Sequence, residues 1–231
     1  MGHSVAIRQV GGKMRYKTVI FDVDGTLLNT AEGILASVEY TINKWGMKAL
    51  SKEEILSFIG PPVQSSFHRI YGAEGELLDR LCETFRTVYK EENLFRAEPY
   101  EGIFEMYDAL LEKGVKTAIA TYKRHDYAVP LLKKFGFDKY CKVMFGADLE
   151  GKLTKSDIIV KCLEELGVSD LSRAVMIGDT LHDALGAKEL GLDFLGVTYG
   201  FGFHDRRDVD AYPSIGSADT PLEILKYIGE D

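Results

Sequence analysis

The chain has 231 residues, 45% hydrophobic and 28% charged, with a formal net charge of −8. That acidic balance argues against nucleic acid or an anionic membrane surface as a partner, and no apolar run approaches the ~20 residues that a bilayer-spanning helix needs. Three widely spaced cysteines, Cys82, Cys141 and Cys162, form neither a metal-site spacing nor a disulfide framework, which suits a reducing cytoplasm.

In chain order, residues 1–15 open with "MGHSVAIRQVGGKM", which has no apolar signal region and reads as a leader ahead of the fold. "YKTVIFD" (16–22) is a short β-branched run that predicts a buried strand. From 30 to 97 the pattern turns helical. "EGILASVEYTINKW" sets Ile34, Leu35, Val38, Ile42 and Trp45 on one stripe, and "SKEEIL" opens with the capping pair Ser51 and Glu54. "PPVQSSFHRIYG" and "ELLDRLCETFRTVYKEEN" predict two more helices. Beyond them, strands are expected at 116–121 ("KTAIAT"), 173–178 ("RAVMIG") and 194–199 ("FLGVTY"), and helices at 102–114, 154–167 and 182–191. Strand and helix in alternation imply βαβ units. The expected fold is therefore α/β, a doubly wound, Rossmann-like parallel sheet built from 16–29 and 98–231. A helical cap, 30–97, is inserted after the first strand.

Ligands of such sheets bind at the carboxyl ends of the strands. There this chain carries Asp22 and Asp24, then Thr121, then Asp179 with Asp183 four residues on, while Lys155 starts the helix before the 173–178 strand. Carboxylates gathered at one rim repel unless a cation lies among them, and Mg²⁺ is the oxygen-seeking choice when phosphate is also bound. Asp22 then becomes a candidate nucleophile toward phosphorus, and Asp24 a candidate acid for the leaving oxygen and base for water. Gly25 admits backbone N–H groups to the phosphoryl oxygens, with Thr26 beside it. Thr121, Tyr122 and the Lys155 ammonium complete the candidate phosphate-binding set. Lys152 competes with Lys155 for the lysine role; Thr154 and Ser156 favour Lys155 as the residue at a helix start. His68, Arg69, Lys123, Arg124 and His125 are the remaining groups within possible reach of substrate, although such residues more often form a solvated face. His182 has no zinc-ligand spacing, and "YGFGFHDRRD" (199–208) reads as a packed loop beside the site.

"DVDGT", "ATYK", Lys155 and "GDTLHD" resemble, in order and spacing, the four motifs of the haloacid dehalogenase-like hydrolase superfamily. A helical insert between the first two resembles its C1-cap subclass. "FIGPPVQSSF", "YEGI" and "VTYGFG" look most like its phosphoglycolate phosphatase and 5′-nucleotidase-like branch. The resemblance implies Mg²⁺ held by the Asp22 side chain, the Asp24 backbone oxygen and Asp179, with Asp183 as ligand or support. It implies a phosphatase for a small phosphorylated metabolite (phosphoglycolate, a nucleoside monophosphate or a sugar phosphate), working as monomer or homodimer. Two departures stand out: Tyr122 is bulky where the family carries a small residue, and "GKLTKSD" lacks the usual prolines. A β-phosphoglucomutase-like phosphomutase shares the motifs, and a phospho-accepting receiver-like module shares the Asp, Thr and Lys. A dehalogenase has no need of Asp24.

Overall fold

The computed structural model describes residues 14–229. Six strands form one wholly parallel sheet in the order β5-β4-β1-β6-β7-β8: β1 (Thr18–Phe21), β4 (Lys116–Arg124), β5 (Val143–Ala147), β6 (Ala174–Gly178), β7 (Asp193–Val197) and β8 (Gly216–Ala218). The α/β Rossmann-like expectation is met. Alternation along each strand explains the layering. Val19, Phe21, Ile119, Val175 and Ile177 enter one buried cluster, while Ile20, Ala118, Ala120, Ala174 and Met176 enter the other. Helix α5 (Ile103–Glu112) covers the first face with Ile103, Met106, Tyr107 and Leu110. Helices α7 (Lys155–Glu165) and α8 (Leu181–Leu190) cover the second. The remaining core helices are α6 (His125–Lys134), α9 (Arg206–Asp210) and α10 (Ile224–Ile228).

Between β1 and β4 the chain leaves the sheet. A two-strand neck, β2 (Leu28–Asn29) antiparallel to β3 (Glu98–Pro99), marks where it departs and returns. Inside that neck lie α1 (Ala31–Lys44), α2 (Lys52–Leu56), α3 (Val63–Tyr71) and α4 (Gly75–Val88). A π-helical turn, Tyr89–Asn93, follows α4 directly. Val38, Phe67, Leu81 and Phe85 pack the centre of this unit, and Trp45 donates its indole N–H to Thr84 Oγ1 at 3.0 Å. The Ser51–Glu54 capping pair forms in both directions.

Some elements differ from expectation. The neck strands are too short to carry any alternation, and β5 and β8 went unassigned because "VMFGA" and "GSA" contain too few β-branched residues. The β4 strand runs three residues past Thr121, through an irregular register between Thr121 and Arg124. Of the expected leader, residues 1–13 lie outside the described residues. Met14 and Arg15 belong to the fold: Met14 bridges Gly229, and the Arg15 N–H donates to Ile228 O at 3.1 Å.

Candidate active site

The carboxyl ends of β1, β4 and β6 meet the N-termini of α7 and α8. Asp22 continues the β1 ladder by donating its N–H to Ile177 O at 2.9 Å, so the sheet fixes its main chain at the strand end. Asp24 lies two residues on, yet its carboxylate faces a different group of neighbours. Gly25 makes the tight turn at φ +86°, a left-handed backbone that a side chain would strain. A Cβ there would also strike Asp179 Oδ2 and come within 2.6 Å of its Cγ.

Lys155 is the first residue of α7 because Thr154 caps that helix, its Oγ1 accepting from the Asp157 N–H at 3.1 Å while Asp157 reaches back to the Thr154 N–H. The lysine is 3% exposed, and its ammonium lies 2.6 Å from both Asp22 Oδ1 and Asp183 Oδ1. Lys152 instead points to Glu150 on the surface, 77% exposed at its side chain. Of the two lysines, only Lys155 enters the cluster.

Asp179 ends β6 fully buried. Its Oδ2 accepts from the N–H groups of Phe201 (2.8 Å) and Gly202 (3.1 Å), and Thr26 Oγ1 lies 3.4 Å from its Oδ1. The 199–208 loop thus serves as a cradle for Asp179, and the Thr26 hydroxyl is turned to Asp179 as well. Asp183 Oδ2 accepts from the N–H and hydroxyl of Thr180, which ties it to the first turn of α8. Thr121, 1% exposed, accepts from the Lys123 N–H at 3.1 Å. The Tyr122 hydroxyl accepts from the Lys155 N–H at 3.0 Å and so bolts the second motif to the third. Asp22, Asp24, Gly60, Thr121, Tyr122, Lys123, Lys155, Thr180 and Asp183 together line one tight pocket.

One oxygen each from Asp22, Asp179 and Asp183 lies within 4.8 Å of the others, and all three residues are buried. Burial pushes Asp22 up to about 7; Lys155 opposes that rise, and the charges of Asp183 and Asp24 add to it. Burial, then Asp183 and Asp22, hold Asp179 well above the usual carboxylate range despite its two N–H donors. Burial acts to lower Lys155, but Asp183 and Asp22 outweigh it and raise the ammonium. Three buried carboxylates lie together here, and the one ammonium beside them bonds only Asp22 and Asp183. A hard divalent cation with oxygen ligands fits this donor set.

A sequence model described as haloacid dehalogenase-like hydrolase matches residues 19–197. The chain belongs to that family. As a haloacid dehalogenase-like hydrolase it is 33% identical over 193 residues to a 5′-nucleotidase of Pseudomonas aeruginosa, covering 83% of this chain and 87% of the relative. It is 32% identical over 188 residues to a phosphoglycolate phosphatase of Agrobacterium fabrum, covering 79% and 80%. Among solved structures, a predicted phosphatase from Clostridium acetobutylicum superposes with a TM-score of 0.84 at 32% identity, over 92% of this chain and 98% of the other.

Other candidate residues of this hydrolase fall differently. Lys123 is a correction to the solvated-face expectation: its ammonium is buried, 3.0 Å from Asp24 Oδ1 and 2.8 Å from the Tyr89 hydroxyl. The three residues that β4 gains past Thr121 carry it there. Arg124 forms a fork with Asp126, and its guanidinium stacks on Tyr127. The His68 ring bonds Ala73 O, and Arg69 bonds Ser57, so both tie the helical unit to itself. His125 meets the Gly146 N–H. His182 packs edge-on against Tyr122, and burial lowers its pKa.

Proposed function

We propose that this hydrolase is a Mg²⁺-dependent phosphatase of a small phosphate monoester, with Asp22 as nucleophile. The observation that carries the reading is the buried cluster of Asp22, Asp179 and Asp183 at the end of β1, in which Asp22 and Asp183 hold the Lys155 ammonium. Asp22 and Asp179 would hold the cation with the Asp24 backbone oxygen, supported by Asp183. When bound it supplies positive charge to the phosphoryl oxygens.

A carboxylate oxygen of Asp22 attacks phosphorus, the bond from phosphorus to the leaving oxygen breaks, and Asp24 delivers a proton to that oxygen. In the second half Asp24 takes a proton from water, the water oxygen attacks phosphorus, and the Asp22–phosphorus bond breaks to restore the carboxylate. Lys155 and the Thr121 hydroxyl steady the charge on the transferring group. The helical unit, residues 30–97, acts as a cap. Between it and the sheet lies a cavity of about 230 Å³, walled by Phe58, Phe85 and Tyr89 on the helical side and by Lys123 and Tyr127 on the other. The leaving group occupies that space, which suits a metabolite rather than a macromolecule.

The test is phosphate release from a panel of phosphorylated metabolites and an aryl phosphate. With Mg²⁺ the best substrate is expected to reach a kcat/KM of at least about 10⁴ M⁻¹s⁻¹, and EDTA is expected to abolish turnover. Full activity in EDTA, or conversion of one sugar phosphate into another without phosphate release, overturns this reading.

A further inference from the structure

Asp24 is held by Thr30 of the helical unit and by Lys123 of β4, and Lys123 in turn meets Tyr89 of the helical unit; the reaction above leaves Lys123 and Tyr89 unassigned. Its Oδ1 accepts from Thr30 Oγ1 at 2.5 Å and lies 3.0 Å from Lys123 Nζ; among the described residues its Oδ2 accepts no hydrogen bond. Thr30 stands at the N-cap of α1 but spends its hydroxyl on Asp24 instead of on the helix. Lys123 donates in turn to the Tyr89 hydroxyl at 2.8 Å, and its ammonium lies 4.8 Å from the centre of that ring. Tyr89 opens the π-helical turn, stacks on Phe85 at 5.6 Å and meets Tyr127 of α6 edge-on at 5.7 Å. The lysine and the tyrosine are buried, at 5% side-chain and 2% overall exposure. A buried ammonium held in one position between a carboxylate and a phenol fixes the direction of both.

Resting on the phosphatase reading, we propose that Lys123 and Tyr89 are positioning residues. They hold Oδ1 of Asp24 so that Oδ2 faces the leaving oxygen, and they make that alignment depend on the helical unit being seated on the sheet. The π-helical turn is the device that presents the Tyr89 hydroxyl to the core, in keeping with the use of such turns at functional sites. Removing the link frees the carboxylate to rotate. The loss falls on the step that Asp24 assists, protonation of the leaving oxygen. It therefore grows with the basicity of that oxygen, whereas damage to packing lowers the turnover of every ester alike.

The experiment measures kcat/KM, with Mg²⁺, for a simple alkyl phosphate and for nitrophenyl phosphate, whose leaving group needs little protonation. Lys123→Met is expected to lose about 100-fold on the alkyl ester and less than about tenfold on the aryl ester, within the range of general acid catalysis. Tyr89→Phe removes one hydroxyl, keeps the ring, and is expected to shift the ratio in the same sense by a smaller factor. Lys123→Arg is expected to recover most of the alkyl activity. Asp24→Asn defines the limiting ratio, and Asp22→Asn is expected to abolish both reactions. If Asp22→Asn abolishes turnover while Lys123→Met and Tyr89→Phe lose equally on both esters, or lose nothing, the inference is overturned and the phosphatase reading stands. If Asp22→Asn still turns over at the parent rate, the phosphatase reading fails and the inference fails with it.

Discussion

Two carboxylates two residues apart on one strand end occupy opposite electrostatic situations. Asp22 shares the Lys155 ammonium with Asp183 and lies close to Asp179, whereas Asp24 meets Lys123 and Thr30. Environments that differ this much are how adjacent acids take separate roles. Between them and Asp179 there is no room for a side chain at residue 25. Gly25→Ala is expected to lower the melting temperature, by the equivalent of about 1–3 kcal/mol for a strained backbone. It is also expected to cost at least about tenfold in kcat/KM, because the added Cβ displaces the Asp179 carboxylate. Thermal denaturation and steady-state kinetics check the two effects separately, and an unchanged kcat/KM contradicts the claimed contact. At this scale the sequence was most legible for Asp22, Thr121 and Asp179, each a charged or hydroxyl group stranded at the end of an apolar run. Lys123 was not legible. Its burial follows from the length of β4 and from Tyr89, thirty-four positions earlier, and neither is a local property of "TYKR".

The elements divide the same way. The start of helix α7 was legible from Thr154 and Ser156 around Lys155; the structure adds that Asp157 completes a capping pair with Thr154, which sets Lys155 at the first helical position. That cap is coupled to the site, because the start of the helix determines where the ammonium reaches. Thr154→Ala is expected to destabilise the protein by about 1 kcal/mol, the usual worth of such a cap. It is expected to lower kcat more than KM, since Lys155 is retained but less firmly aimed. Denaturant titration and kinetics on one substrate provide the check, and a loss confined to KM counts against the coupling. Helix α1 was legible from its apolar stripe and α2 from the Ser51–Glu54 cap, with two further helical runs after them. The neck strands and the π-helical turn were not: two paired residues have no period, and a π turn differs from an α turn by i→i+5 backbone bonding that no side-chain pattern announces.

Across the whole molecule, sheet and helical unit meet over the carboxyl ends of the strands, and the chain's net charge of −8 is at odds with an anionic substrate. Under the phosphatase reading, capture would rest on local positive charge, the Lys155 ammonium and a cation that the buried acids suit. Parallel-sheet topology was readable from the alternation of strands and helices, because right-handed crossovers leave few arrangements. Substrate identity was not readable, because it depends on which side chains from two distant stretches converge on the 230 Å³ cavity. The names of the relatives differ in the same respect, one a 5′-nucleotidase and the other a phosphoglycolate phosphatase. What does not depend on substrate is the nucleophile. Acid-quenching the enzyme during turnover and reducing it with borohydride converts an aspartyl phosphate into homoserine, which peptide mass spectrometry locates. Homoserine at position 22, and at no other aspartate, is the predicted result. Its absence at 22, or its appearance at 24, 179 or 183, contradicts the assignment of Asp22 as the residue that attacks phosphorus.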